Sequence, residues 1–208
     1  MTHPVLARLA RQVVPVVRTG SASSARALVG ALAAGGLTIF EITTSVPDHV
    51  ALLADLARDD RLLVGMGTVL DAAAARAAMA AGARFLVSPC VVPEVAEAAA
   101  ARGVPVVLGA ATPTEVLAAR RAGAAAVKIF PASQLGGPGF LRAVRSVLPD
   151  VPLIPTGGIE LDDIDAYLAA GAHAVGMGGQ LAGEADAGSP DRLAAVAERA
   201  RAIAARGR

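Results

Sequence analysis

The chain has 208 residues, of which 54% are hydrophobic, 18% charged and 2% aromatic, with a formal net charge of +1. That length and apolar content can bury one sizeable core, whereas the near-zero charge and scarce aromatics supply neither a polyanion-attracting field nor base-stacking platforms, which argues against nucleic acid as a partner. No run reaches the about 18 uninterrupted apolar residues of a membrane span, the amino terminus has neither a signal-like apolar block nor a small-residue cleavage pattern, and Cys90 stands alone, so no internal disulfide can form; cytoplasmic residence is the expectation.

A short helical segment over 4–11 opens the chain. Eight short apolar runs follow, the first four being QVVPVV from Gln12, LTIFEI from Leu37, LLVGMG from Leu62 and RFLVSP from Arg84. The other four are VPVVLGA from Val104, AAVKIF from Ala125, VPLIPTGG from Val151 and AHAVGMGG from Ala172. Runs that are apolar on both faces and too short for helices fit parallel strands covered by helices. The gaps carry helix signals: Asp71 opens an Ala-rich stretch over 72–81 closed by Gly82, and Thr112-Pro113-Thr114-Glu115 is a capping box with Pro at the first helical position. Strand, helix and Gly recur at roughly 20 to 26 residues. Eight such units argue for an α/β fold, a single (β/α)8 TIM barrel with a short N-terminal helix, filling 1–208 as one domain. The competing open, doubly wound sheet usually carries a Gly-rich fingerprint after its first strand, and RTGSASS offers only Gly20.

In such a barrel the active site lies at the carboxyl ends of the strands. The polar residues ending the runs are Arg18, then Glu41 and Thr43, Thr68, Ser88 and Cys90, then Lys128 on the sixth strand, Thr156-Gly157-Gly158 and Gly178-Gly179-Gln180. Lys128 is the single lysine among 19 Lys plus Arg residues. A guanidinium keeps its proton, whereas a desolvated lysine can lose it and become a nucleophilic amine, so a position that holds the one lysine is a candidate for covalent catalysis. An amine, a carboxylate, a guanidinium and hydroxyls suit imine chemistry on a keto acid, and glycine pairs after strands seven and eight suit a phosphate.

Each residue also has a structural reading. Lys128 could snorkel from a strand end or form a buried ion pair with Glu41; Thr68 and Thr156 could cap turns; Arg18 could be a surface charge; glycine pairs are common in turns. His3, His49 and His173 are scattered over an amino-terminal segment, a helix start and a strand start, which does not resemble a metal cluster and disfavours a metal-dependent mechanism. No cofactor is implied.

FEITTS, GMGTVL, RFLVSP, VKIFPAS and IPTGGI, in this order on strands two, three, four, six and seven, resemble the class I 2-keto-3-deoxy-6-phosphogluconate (KDPG) and 2-keto-3-deoxy-6-phosphogalactonate (KDPGal) aldolases over residues 12–182. The resemblance implies a homotrimeric barrel that cleaves a 2-keto-3-deoxy-6-phospho sugar acid to pyruvate and glyceraldehyde 3-phosphate without a cofactor. It puts the Schiff-base lysine on Lys128, the acid/base glutamate on Glu41, a carboxylate-holding threonine on Thr68 and a substrate-contacting threonine on Thr156. Gly157 and Gly158 fall near the phosphate, with Gly178 and Gly179 at the family's second glycine pair. Arg18 looks like the arginine that galactonate-type members carry after their first strand.

The chain departs from the family's pattern in two places that bear on substrate. Ser45 stands where the phosphogluconate enzymes have arginine in Glu-x-Thr-x-Arg, which shifts anion binding toward Arg18, and Gln180 follows Gly178-Gly179 where the family often has serine. Met66 and Leu108 are smaller local differences. The rival readings are a pyruvate-forming aldolase on another keto acid (KDPGal, 4-hydroxy-2-oxoglutarate or an unphosphorylated analogue), a catalytically idle trimeric scaffold, and a phosphate-binding barrel isomerase without a Schiff base.

Overall fold

The computed structural model describes residues 3–182 and 189–206. Its elements run α1 (Pro4–Leu9), β1 (Val13–Val17), α2 (Ala22–Ala34), β2 (Ile39–Thr43), α3 (His49–Leu56), β3 (Leu63–Gly67), α4 (Ala72–Ala80), β4 (Leu86–Val87) and α5 (Pro93–Ala100). They continue through β5 (Val106–Ala110), α6 (Pro113–Arg121), β6 (Ala126–Ile129), α7 (Gly137–Val147) and β7 (Leu153–Pro155). A 3₁₀ turn (Leu161–Asp163), α8 (Ile164–Ala169), β8 (Val175–Met177), α9 (Gly179–Ala182) and α10 (Pro190–Arg206) complete the order. All paired strands are parallel, in the order β7-β6-β5-β4-β3-β2-β1-β8. A single bridge, Thr156 to Gly176, joins β7 to β8 and brings the ends of the sheet together as a (β/α)8 barrel.

Helices α1, α2, α4 and α6 begin where a side chain satisfies a first-turn amide. The Asp71 carboxylate accepts from the Ala74 N–H at 2.7 Å, and the expected capping box forms, with Thr112 Oγ1 accepting from the Glu115 N–H and Glu115 Oε2 accepting from the Thr112 N–H. α1 is shorter than the expected 4–11: Arg11 adopts φ +60°, and its N–H donates to the His173 carbonyl, which turns the chain into β1.

Strand period divides the core in two. Phe40 and Ile42 of β2, Val64 and Met66 of β3, and Val127 and Ile129 of β6 point outward and pack under the helices. Inward-facing Val14, Ile39, Leu63, Phe85, Val107, Ala126, Ile154 and Ala174 fill the lower half of the barrel, and Val5, Leu6 and Leu9 of α1 plug its amino-terminal end. α1 is thus part of the barrel's floor, and the His173 ring, hydrogen-bonded to the Leu6 carbonyl at 2.8 Å, holds it to the start of β8.

Candidate active site

Two residues further up the same inward faces, the side chains change character. Ile39 gives way to Glu41 on β2, Ala126 to Lys128 on β6, and Ile154 to Thr156 just beyond β7. Lys128 Nζ lies 3.3 Å from Glu41 Oε1, and their side chains are only 9% and 5% exposed. The residues are 87 apart in sequence and come together because both strands direct them into one interior. The carboxylate occupies the space a Cβ at Gly67 would need, so glycine at the end of β3 makes room for Glu41. Lys128, Glu41, Thr156 and Gly176 line a cavity of about 20 Å³ above the apolar floor of Leu9, Val14, Phe85, Val107 and Ile154, enough for about one water.

A second polar group stands at the rim. Arg18 donates to Ser45 Oγ at 3.0 Å and to Thr68 Oγ1 at 3.2 Å. Thr43, fully buried, donates to the Val17 carbonyl at 3.0 Å, and its oxygen lies 2.8 Å from Ser45 Oγ. A hydroxyl has one hydrogen, so with Thr43's committed to Val17 the order is fixed: Arg18 to Ser45, Ser45 to Thr43, Thr43 to the backbone. Thr68 accepts from Arg18 and keeps its own hydrogen for a ligand. Its φ of +60° marks a held conformation, and Thr44 Oγ1 donates to its carbonyl at 2.9 Å. Among the described residues Arg18 has no carboxylate partner, so an unneutralised guanidinium is presented on neutral hydroxyls.

Thr156 is buried, with a long 3.4 Å hydrogen bond to the Ile154 carbonyl. Gly157 and Gly158 follow with φ of +96° and +68°, and the Ala132 and Ser133 amides donate to the Thr156 and Gly157 carbonyls, strapping the loop after β6 to the loop after β7. Gly178 and Gly179 sit at the same end of the barrel, beyond β8, with Gly178 half-buried and Gly179 exposed.

A family model described as KDPG and KHG aldolase matches residues 6–197. A 2-dehydro-3-deoxy-phosphogluconate aldolase of Pseudomonas aeruginosa is 38% identical over 79% of this chain and 74% of its own. A probable 2-dehydro-3-deoxy-6-phosphogalactonate aldolase of Rhizobium meliloti is 37% identical over 82% of each chain. Among solved structures, a KDPG aldolase of Legionella pneumophila, with pyruvate captured as a covalent carbinolamine, superposes with a TM-score of 0.86 at 31% identity over 97% of this chain and 98% of that one. The chain belongs to the KDPG and KHG aldolase family. It is therefore an aldolase, a carbon–carbon lyase.

The surroundings of the amine in this aldolase come from distant parts of the chain. Val127 and Ile129, its neighbours along the chain, point away from it into the helix layer, as period two requires. The apolar wall beneath Lys128 comes instead from Leu9, Val14, Phe85, Val107 and Ile154, residues distant in sequence. Phe130 lies with its ring centre 5.5 Å from Nζ but is 40% exposed, so it forms part of the rim. Sequence reading also passed over Thr44, which fixes the Thr68 turn, and Ser133, whose hydroxyl fills the space beside Gly158. Counting in twos from Lys128 would have placed Phe130 at the mouth; the hydroxyl contacts leave no comparable signal. The three histidines have structural roles: His3 caps α1, His49 bonds to the Val46 carbonyl and His173 to Leu6. Among the described residues no group of three or more His, Cys, Asp or Glu is placed to hold a metal, and no helix is long and apolar enough to cross a membrane.

Proposed function

We propose that this aldolase cleaves a 2-keto-3-deoxy-6-phospho sugar acid of the KDPG type to pyruvate and glyceraldehyde 3-phosphate through a Schiff base on Lys128. The observation that carries the reading is the approach of the single lysine to Glu41 inside an otherwise apolar barrel. The amine attacks the keto carbon in its neutral form, and Glu41, 3.3 Å away, can take the ammonium proton. Glu41 returns that proton to the carbinolamine hydroxyl, which leaves as water and frees the carboxylate again; the iminium that remains draws electrons from the adjoining carbons. Glu41 then accepts the proton of the carbon-four hydroxyl as the bond between carbons three and four breaks, releasing the aldehyde and leaving an enamine. Protonation of that enamine at carbon three, with Glu41 as the returning acid, and hydrolysis of the imine free pyruvate and the amine.

Arg18 and the unspent hydroxyl hydrogen of Thr68 hold the carboxylate, with Ser45 and Thr43 orienting the guanidinium. Thr156 faces the reacting carbons, and the backbone at Gly157, Gly158, Gly178 and Gly179 takes the phosphate. The active unit in this reading is a single domain over 1–208, acting in the cytoplasm as a homotrimer, with a small keto acid as its partner and no cofactor. A second reading, cleavage of the KDPGal epimer, is favoured by one observation: the anion-binding guanidinium projects from the end of β1, while its counterpart position after β2 holds Ser45. Steady-state kinetics on purified KDPG, KDPGal, 4-hydroxy-2-oxoglutarate and unphosphorylated 2-keto-3-deoxygluconate test both. The first reading predicts the highest kcat/KM on KDPG. Preference for KDPGal installs the second, and preference for a substrate without phosphate removes the glycine pairs from the assignment.

A further inference from the structure

At the opposite end of the barrel from Lys128, the turns leading into β1, β7 and β8 enclose a pocket of about 270 Å³. Arg11, Arg145, Asp150 and His173 line it, two arginines against one acidic residue. Among the described residues neither guanidinium is ion-paired or hydrogen-bonded. Arg145 lies against the backbone of Gly171, where a Cβ would run into its guanidinium, and Gly171 at φ +91° leaves that space open. The Arg11 backbone is set at the pocket by its φ of +60° and by the 2.6 Å bond from its N–H to the His173 carbonyl.

Two unneutralised arginines lining one concave site suit a tetrahedral oxyanion, because each planar fork can offer two parallel donors. We infer that this pocket is a second anion site, which binds a phosphate group, either inorganic phosphate or the phosphate of a small phosphomonoester. Its occupant would clamp the end of α1, and Leu9, two residues before Arg11, lines the cavity beneath Lys128 and Glu41. Asp150 weakens the site, since its carboxylate repels the same anion.

Backbone amide resonances of the full-length protein, titrated with sodium phosphate against sodium chloride of equal ionic strength, separate this pocket from the mouth. Gly171 and Ala172 report on the pocket, Gly157 and Gly158 on the mouth. The inference predicts saturable phosphate shifts at Gly171 and Ala172 with no counterpart in chloride. Arg145→Ala weakens them roughly tenfold and leaves the mouth amides as in the wild type. Arg11→Gly, which suits the left-handed backbone and so keeps the fold, does the same, while Asp150→Asn tightens binding. Tighter binding of glycerol 3-phosphate than of phosphate assigns the site to a phosphomonoester; the reverse order assigns it to inorganic phosphate. Absence of a saturable response at Gly171 and Ala172, or a response that survives both arginine substitutions, overturns the inference.

Discussion

The lower and upper halves of the barrel interior use the same strands and the same inward faces, yet one is a hydrocarbon core and the other a reaction site. Ile39 and Glu41, Ala126 and Lys128, and Ile154 and Thr156 are each one strand repeat apart, about 6.6 Å of rise. The lower half is closed by α1 and packed around Phe85, and it gains stability from burial; the upper half carries two ionisable groups that contribute little to folding unless paired. Function on this scaffold is a change of residue type at fixed geometry, and the floor leaves a cavity of about 20 Å³ beside the amine.

The sharpest break in this comparison is Lys128→Arg, which retains the charge and the ion pair but removes the nucleophile. Turnover should fall by at least about 10⁴-fold, with the circular dichroism spectrum and the urea midpoint near those of the wild type. Phe85→Ala breaks the other half: a cost of about 3–5 kcal/mol, read as a lower urea midpoint at unchanged slope, with a loss of kcat in the folded fraction far smaller than that of Lys128→Arg. Glu41→Gln should lower kcat by about 10²–10⁴-fold, and the loss should be larger for cleavage than for imine formation with pyruvate, because the carbon-four proton has no acceptor. Arg18→Ala should reduce kcat/KM by roughly 10–100-fold, the loss of one charge-assisted anion contact, with recovery only in part by Arg18→Lys, which cannot bridge Ser45 and Thr68 together.

The smallest effect lies outside the barrel. The Ala111 N–H, with the Thr112 hydroxyl and N–H, holds the Glu115 carboxyl below its ordinary pKa of 4.5. A carboxyl lowered in the folded state stabilises above its unfolded pKa, and that contribution disappears as pH falls through the folded value. Thr112→Ala should cost about 1 kcal/mol at neutral pH, and the stability gap between wild type and Glu115→Gln should close in acid.

Much of the upper half was legible because its signals are local. One lysine in a strand, a glutamate at an inward position of another and a threonine before paired glycines can each be read in a few residues. The barrel followed from repetition of strand, helix and glycine. What sequence did not show depends on contacts between loops far apart in the chain. Arg18 meets Ser45 and Thr68 across separations of 27 and 50 residues. The shortening of α1 follows from a carbonyl on the segment before β8, and the basic pocket draws its lining from three separate turns and from α7. Val127 and Ile129 adjoin Lys128 in sequence yet lie in the helix layer, because period two puts strand neighbours on opposite faces.

The central claim, Lys128 forming an imine beside Glu41, is tested most directly by incubating the protein with pyruvate, reducing with borohydride and mapping the added mass by peptide. The account predicts the reduced pyruvyl adduct on the peptide containing Lys128, absent from Lys128→Arg. No adduct there, under conditions that trap a known imine-forming aldolase, would contradict it.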